Sequence, residues 1–392
     1  MDRAEIEQHI RRLVLPEPVQ SVFHRIQAEG GHVWVVGGVI RDWVWSPKTF
    51  EPNLRDWDLT TDLPSTHLQR LKVATHPGEQ YGTFLIAPGV EVTHLRREGP
   101  YGDQRHPDQV RAIGAIQEDL GRRDFTVNAV AYDGDAITAV EDAVSDLSHR
   151  TLRAVGNPWR RFEEDPLRIL RLWRFAARCR ATVEGSTGTA SRELVFLLDR
   201  VSRERRLQEL LRFLEGPLDC WPLWGEADLD GALDWPKRRH GSEIAPVTVP
   251  HNPCTRLAAF ALFRTRSWDW LSGWAEVWPL PRRWRRALGA VSNTPPQVDD
   301  WILKARHPES RDAWIFADLA RSFGVPPDDV GPIRLAIGAE TLKSHWGLEG
   351  PELGELLRML EDRVAVLPDD NRPERLLSLA TRWVEARRRG QV

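Results

Sequence analysis

The sequence predicts an α/β head, a mixed β-sheet with helices, followed by a chain that is helical to its end. Three observations predict it. Between residues 33 and 93, short β-prone apolar runs alternate with glycine turns and helical stretches. Residues 157–178 form an arginine-rich run at helical spacing. From residue 216 onward, apolar residues recur with helical periodicity among many Trp and Pro, and twelve of the 18 Trp lie there. They read as helix-packing core more readily than as base-stacking platforms.

At 392 residues the chain exceeds one compact core and is expected to hold roughly two to four domains. It is 41% hydrophobic and 28% charged, the composition of a soluble globular protein. No run of 18 apolar residues occurs, so no transmembrane helix is expected, and the start, Met1-Asp2-Arg3-Ala4-Glu5, lacks a signal peptide's apolar core. Cys179, Cys220 and Cys254 are odd in number and widely spaced, as reduced cytosolic thiols are. The net charge of −3 hides a gradient. Residues 1–149 carry 15 basic and 23 acidic side chains, residues 150–212 carry 15 and 8, and residues 213–392 carry 24 and 26. A basic segment beside an acidic head suits contact with a phosphate backbone, although a charge run is also what a solvated helical face shows. Only five of the basic residues are Lys, and arginine favours planar, bidentate contacts.

The elements follow in order. Residues 2–29 read as a leading helix with Ile6, Ile10, Leu13 and Val14 at helical spacing. Val33–Val36 is a short strand ended by Gly37-Gly38, and Val39 to Trp45 is a short helix with Arg41 and Asp42 in its first turns. A second strand, Arg55 to Thr61, carries Asp56 and Asp58 two apart, hence on one face. Two such carboxylates repel unless a cation lies between them. Mg²⁺ takes oxygen ligands and brings substrate phosphates with it. A glycine turn at a helix N-terminus offers N–H groups to an anion. Alone, the glycines are a turn and Asp-x-Asp a solvated strand end; together they suggest phosphoryl or nucleotidyl transfer. A helix is expected over Pro64–Leu71, then a hairpin of Gln80–Ile86 and Val90–Thr93 turning at Pro88-Gly89. Glu91, between Val90 and Val92, is either a third carboxylate of the site or a residue on the hairpin's exposed face. Arg97 to Val110 is polar, with two Gly and two Pro, and reads as a mobile loop.

The motifs now carry a resemblance. Gly37-Gly38-Val39-Ile40-Arg41-Asp42, followed by Asp56-Trp57-Asp58-Leu59-Thr60-Thr61, resembles the first motif of the class II tRNA nucleotidyltransferase and bacterial poly(A) polymerase family. The spacer between the halves is longer than the family's and has no Gly after Trp45. Glu91-Val92-Thr93-His94-Leu95-Arg96 matches an E-V-x-x-x-R setting, and Arg122-Arg123-Asp124-Phe125-Thr126-Val127-Asn128-Ala129 matches R-R-D-F-T-h-N-A, h being apolar. Glu164-Asp165-Pro166-Leu167-Arg168 matches E-D-x-x-R, and Ser202 to Leu210 a weaker last motif that braces the neck. The resemblance covers residues 33 to about 215.

It implies a nucleotidyltransferase head over residues 1–140, a helical neck over 141–215, and a helical body and tail over 216–392 that grip the acceptor arm of tRNA. It implies addition of C and A to the tRNA 3′ end from CTP and ATP, with Mg²⁺ held by Asp56 and Asp58 and with Glu91 assisting. Gly37, Gly38, Arg41 and Arg123 would contact phosphate, and Asp124 the ribose. Asp165 and Arg168 would read the edge of the incoming base; the plain alternative is an intrahelical ion pair between them. Arg171 and Arg174, three apart along the same helix, would hold phosphates. Leu167, Ile169, Leu170 and Phe175 lie off this stripe and are candidate core. The loop over 97–110, with Glu98, Tyr101, Asp103 and Arg105, resembles the one that switches the pocket from CTP to ATP. A cytoplasmic enzyme, monomeric or homodimeric and without membrane contact, is expected. A poly(A) polymerase, an enzyme adding only the terminal A, and an inactive RNA-binding protein are the alternatives. No His-Asp dipeptide occurs, so no appended metal-phosphohydrolase domain is expected.

Overall fold

Two prolines divide the start of the chain. In the computed structural model, which describes residues 2–54, 56–98, 110–112, 115–236, 246–265, 267–306, 312–326, 335–366 and 370–388, helix α1 (Arg3–Arg11) opens on a capping box. Asp2 accepts from the Glu5 amide at 2.8 Å, and Glu5 accepts from the Asp2 amide at 2.7 Å. A second helix, α2 (Glu17–Ala28), follows with Pro16 as its N-cap. The single leading helix expected over 2–29 is therefore two. Pro16 and Pro18 supply no N–H to a continuing helix, and they are tolerated only at the first turn of a new one. Ile6, Ile10 and Leu13 are buried, whereas Val14 falls in the break and is 68% exposed.

The sheet of the head is mixed, with order β3-β4-β2-β1-β7-β8. Its strands are β1 (Val33–Val36), β2 (Trp57–Thr61), β3 (Thr83–Ala87), β4 (Val90–His94), β7 (Val130–Tyr132) and β8 (Ile137–Ala139). Between them lie α3 (Gly38–Trp45) and α4 (Ser65–Leu71), then a separate strand pair, β5 (Arg96–Glu98) with β6 (Val110–Ala112), and α5 (Ile116–Gly121). The pair β2–β4 is parallel and the others in the main sheet are antiparallel. Val36, Leu95, Ile116, Leu120, Ala129, Ala131 and Val155 form one core cluster. That cluster ties the end of β1 to α5 and to the segment after it, and so brings the Gly37-Gly38 turn and the Arg122–Ala129 motif together. Most of the loop expected over 97–110 lies outside the described residues.

The arginine-rich run is also two helices. Helix α7 (Pro158–Glu164) starts where expected, with Asn157 accepting from the Arg160 amide at 3.1 Å. It stops at Asp165, whose backbone is extended, and α8 (Leu167–Cys179) begins after Pro166. The one helix expected here is corrected for a steric reason: a residue before proline is pushed out of the α region. Leu167, Ile169, Leu170 and Phe175 are buried, but so are Arg168 and Arg174. Helix α10 (Arg203–Phe213) packs on α8, capped by Ser202.

The chain divides into two compact units, one of residues 1–216 with 220–235, the other of 217–219 with 236–392. The second unit is helical among its described residues, its apolar repeats lying on helices such as Pro253–Thr265, Ala313–Ser322, Gly350–Val366 and Pro373–Arg388. Trp268 and Trp301 are buried with ring centroids 5.5 Å apart, the packing role expected of this Trp-rich region. Among the described residues no helix is long and apolar enough to cross a membrane.

Candidate active site

The site begins where β1 ends. Gly37 has φ +79°, and α3 starts at Gly38. A Cβ placed on Gly37 would lie 3.2 Å from Arg123 Nη1 and 3.6 Å from Asp58 Oδ2. The left-handed backbone and the closeness of these two groups both call for glycine here. The turn thus places backbone, a guanidinium and a carboxylate within one small recess.

Asp58 is on β2, directly across the parallel ladder from Glu91 on β4. Paired residues of neighbouring strands project to the same face, so the two carboxylates are lateral neighbours. Asp56 precedes the first residue of β2 by one position and is exposed. The Asp58 carboxyl is raised above its ordinary range, first by burial and then by the charges of Glu91 and Asp56; Arg123 and Arg171 pull it the other way. By accessible surface Asp58 is exposed, so a ligand can reach its oxygens.

These oxygen-only donors, mutually repelling, fit a hard divalent cation. Among the described residues no three His, Cys, Asp or Glu side chains form a metal cage. Asp56 and Asp58 would therefore share a cation with water and substrate phosphate. His76 lies beside Glu91. Its Nδ1 accepts from the Gly78 amide at 3.0 Å, which puts the ring proton on Nε2, 3.3 Å from Glu91 Oε1. No sequence signal marks His76, a lone histidine in the connection before β3.

A buried relay joins the two glycine-side motifs. Arg123 Nη2 donates to Asp119 Oδ2 at 3.2 Å, which leaves Nη1 at the Gly37 turn. Asp119 is fully buried; burial alone would raise its carboxyl, but Arg122 and Arg123 outweigh it and hold the pKa low. Their spacing of three and four residues, legible in the sequence, is what brings them together. Asp124 is 9% exposed. Its Oδ1 accepts from the Phe125 amide at 2.8 Å and Asn128 Nδ2 at 2.9 Å, and its Oδ2 from Arg171 Nε at 2.9 Å and Nη2 at 2.6 Å. Burial would raise this carboxyl, but Arg171 and Asn128 together hold it far below the usual range.

Asn128 is oriented in turn by Arg41, whose Nη1 donates to its Oδ1 at 2.8 Å. Arg41 is 4% exposed and gives Nε and Nη2 to Asp42 Oδ1, with its guanidinium 4.7 Å from the Phe175 ring centre. The phosphate contact expected of Arg41 would have to be made from this enclosed position. From the same position Arg41 holds Asn128, and Asn128 holds Asp124.

The α8 arginines divide as well. Arg168 is buried, donating to the Arg161 carbonyl at 3.0 Å, Glu164 Oε2 at 3.1 Å and the Arg122 carbonyl at 3.3 Å. Asp165 Oδ1 accepts from the Leu167 amide at 3.2 Å and lies 3.7 Å from Arg205 Nη2. The intrahelical pair between Asp165 and Arg168 is replaced by these partners, because the helix breaks between the two side chains. Arg174 is paired with Glu209 of α10 at 2.6 Å, and both are buried. It therefore joins α8 to α10. Arg171 lies near enough to Asp58 for its charge to lower that carboxyl.

A mixed sheet with paired carboxylates beside a glycine turn defines a nucleotidyltransferase head. Residues 33–153 match the family model described as the poly A polymerase head domain. The matched stretch holds the Gly37-Gly38 turn, Asp56 and Asp58, and the Arg123-Asp124 motif. It is similar to the CCA-adding enzyme of Levilactobacillus brevis, 36% identical over 51% of this chain and 50% of that one. It is also similar to the CCA-adding enzyme of Lacticaseibacillus paracasei, 29% identical over 93% of this chain and 96% of that one. The stronger matches in identity span about half the length of the relatives. In fold it is similar to the Bacillus stearothermophilus CCA-adding enzyme in complex with CTP, with a TM-score of 0.63, 22% identity, and coverage of 96% of this chain and all of that one.

Proposed function

We propose that this protein adds C and A nucleotides to the 3′ end of tRNA from CTP and ATP, releasing pyrophosphate, in the cytoplasm. The observation that carries this reading is that Asp58 lies beside Glu91, Gly37 and Arg123, with Asp124 joined to them through Arg171. An RNA-binding protein has no use for a repelling carboxylate pair, whereas a cation shared with a triphosphate requires one. Likeness to CCA-adding enzymes over nearly the whole chain supports the tRNA assignment.

Asp56 and Asp58 would hold Mg²⁺, with Glu91 beside them. When bound, the metal would activate the primer 3′-OH and stabilise the leaving pyrophosphate. The Gly37-Gly38 turn and Arg123 would receive phosphate oxygens, and Arg171 the distal phosphates. Asp124, held ionised and fixed by Asn128, would accept from the ribose hydroxyls. Asp165 and Arg168, at the junction of α7 and α8, would face the base. C and A both offer an amino donor beside an acceptor, and U and G do not present that arrangement on the same edge.

The direct test uses purified protein with tRNAs ending before the first C, after C and after C-C, each given one NTP. One or two C additions from CTP, then a single A onto the C-C end, are expected. A long ladder of A on any RNA overturns the reading in favour of a poly(A) polymerase, and no incorporation from any NTP removes the enzyme altogether. A second expectation concerns the sugar. Asp124→Asn, which preserves shape, should narrow the preference for CTP over dCTP by on the order of tenfold, the worth of one charge-assisted hydrogen bond. An unchanged preference would leave Asp124 with a structural role only.

A further inference from the structure

The carboxylate assigned to the ribose has no acceptor position left for it. An ionised carboxylate offers about four lone-pair sites. In Asp124 two are filled on Oδ1 by the Phe125 amide and Asn128, and two on Oδ2 by Nε and Nη2 of Arg171. The Oδ1 donors are fixed: one is backbone, and the other is an amide locked by the buried Arg41. The Oδ2 donors are of another kind. Arg171 is 32% exposed in its side chain, rests on the face of Phe175 at 5.5 Å, and lies close enough to the carboxylate recess to act on Asp58. It is the one partner of Asp124 with both an open side and a second place to go.

We propose that Arg171 is the specificity-determining residue for the whole nucleotide, through an exchange of partners. An incoming triphosphate draws the guanidinium from Asp124 Oδ2, and only then does that oxygen gain room for the ribose hydroxyls. The two hydrogen bonds that Arg171 loses on Asp124 Oδ2 are replaced by ones to phosphate oxygens, for which the planar guanidinium is equally suited. Two selections are thereby coupled. A nucleoside without phosphates cannot release the acceptor it needs, and a triphosphate without a 2′-OH releases it but leaves it partly unsatisfied, at a cost. The exchange rests on the nucleotide reading of the site given above.

The test is equilibrium binding to the full chain with cytidine, CTP and dCTP as probes, which needs no turnover. In Arg171→Met the acceptor is uncovered and the phosphate partner removed. CTP should bind on the order of tenfold or more weakly, while cytidine binds on the order of tenfold more tightly than to the wild type. The gain for cytidine should vanish in the double variant Asp124→Asn/Arg171→Met, where the uncovered group is a neutral amide. Arg171→Lys, with a single donor on a flexible stem, should give a smaller gain for cytidine with most CTP affinity kept, and it carries the test if Arg171→Met does not fold. Cytidine binding unimproved by either substitution overturns the exchange, as does a gain that persists in the double variant. Wild-type preference for CTP over dCTP in those same outcomes would leave the nucleotide reading standing, whereas wild type that binds no CTP overturns both.

Discussion

Replacing Asp58 with alanine is expected to slow nucleotide transfer by at least about a thousandfold with every NTP. The carboxylate is the member of the acidic pair set on a strand, directly beside Glu91 and within reach of Arg123. Losing charge stabilisation carried by a metal costs several kcal/mol in the transition state. Single-turnover incorporation measures it, with tRNA binding as the control; a rate within about tenfold of wild type would sink the assignment. The same position should give the opposite result for stability. A carboxyl whose folded pKa lies above its unfolded value costs stability where both states are ionised, and the cost fades as pH falls through the raised pKa. Metal-free Asp58→Asn should therefore melt above metal-free wild type at pH 7, with the gap closing as the solution is acidified. An Asn variant that melts lower at pH 7 would mean that burial and the neighbouring acids do not govern this group.

Glu209→Ala should be the most damaging single change to the neck. Arg174 and Glu209 are 6% and 3% exposed and meet at 2.6 Å, with the Phe175 ring 4.1 Å from the Arg174 guanidinium. Burial lowers the Arg174 pKa and Glu209 opposes that shift. Removing the acid leaves a buried cation uncompensated, a change worth about 3–5 kcal/mol. Hydrogen exchange of α8 and α10 amides reads it locally and should show both helices opening together. Arg174→Met with Glu209→Leu should recover most of the loss, since an apolar pair of similar volume needs no partner charge. A loss under about 1 kcal/mol for Glu209→Ala would show the pair to be hydrated, and α8 and α10 to be joined by packing alone.

Local chemistry made the head legible. Val33–Val36, the glycine turn and α3 are short-range events, written in β propensity, in a backbone angle only glycine takes easily, and in helical spacing. The hairpin of β3 and β4 was equally plain, because Pro88-Gly89 has few other uses. Asp56 and Asp58 stand out in the sequence because a strand would set two such residues on one face, although β2 itself begins at Trp57. Where reading went astray, the local signal was present but outweighed by a stronger one. The apolar spacing over 2–29 and the three-residue arginine stripe both suggested unbroken helices, and Pro16, Pro18 and Pro166 ended each of them.

What the sequence determined by itself is the inventory: a strand–turn–helix with two carboxylates, an Arg-Asp motif with Asn128 four residues after its Asp, and a basic helix. What only the tertiary structure decided is which charges face the recess and which are spent inside. Arg41, Arg123, Arg171 and Arg174 are the same residue type in equally suggestive motifs. Arg41 goes to Asn128 and Asp42, Arg174 to Glu209, and Arg171 to Asp124, over sequence separations of 87, 35 and 47 residues for the longer contacts. Helical or strand periodicity reaches only a few residues along the chain, so it cannot assign partners at such distances. The assignment is made by burial: a guanidinium enclosed by α3, α8 and α10 must find an acceptor there or cost several kcal/mol, and only one left partly open keeps a choice.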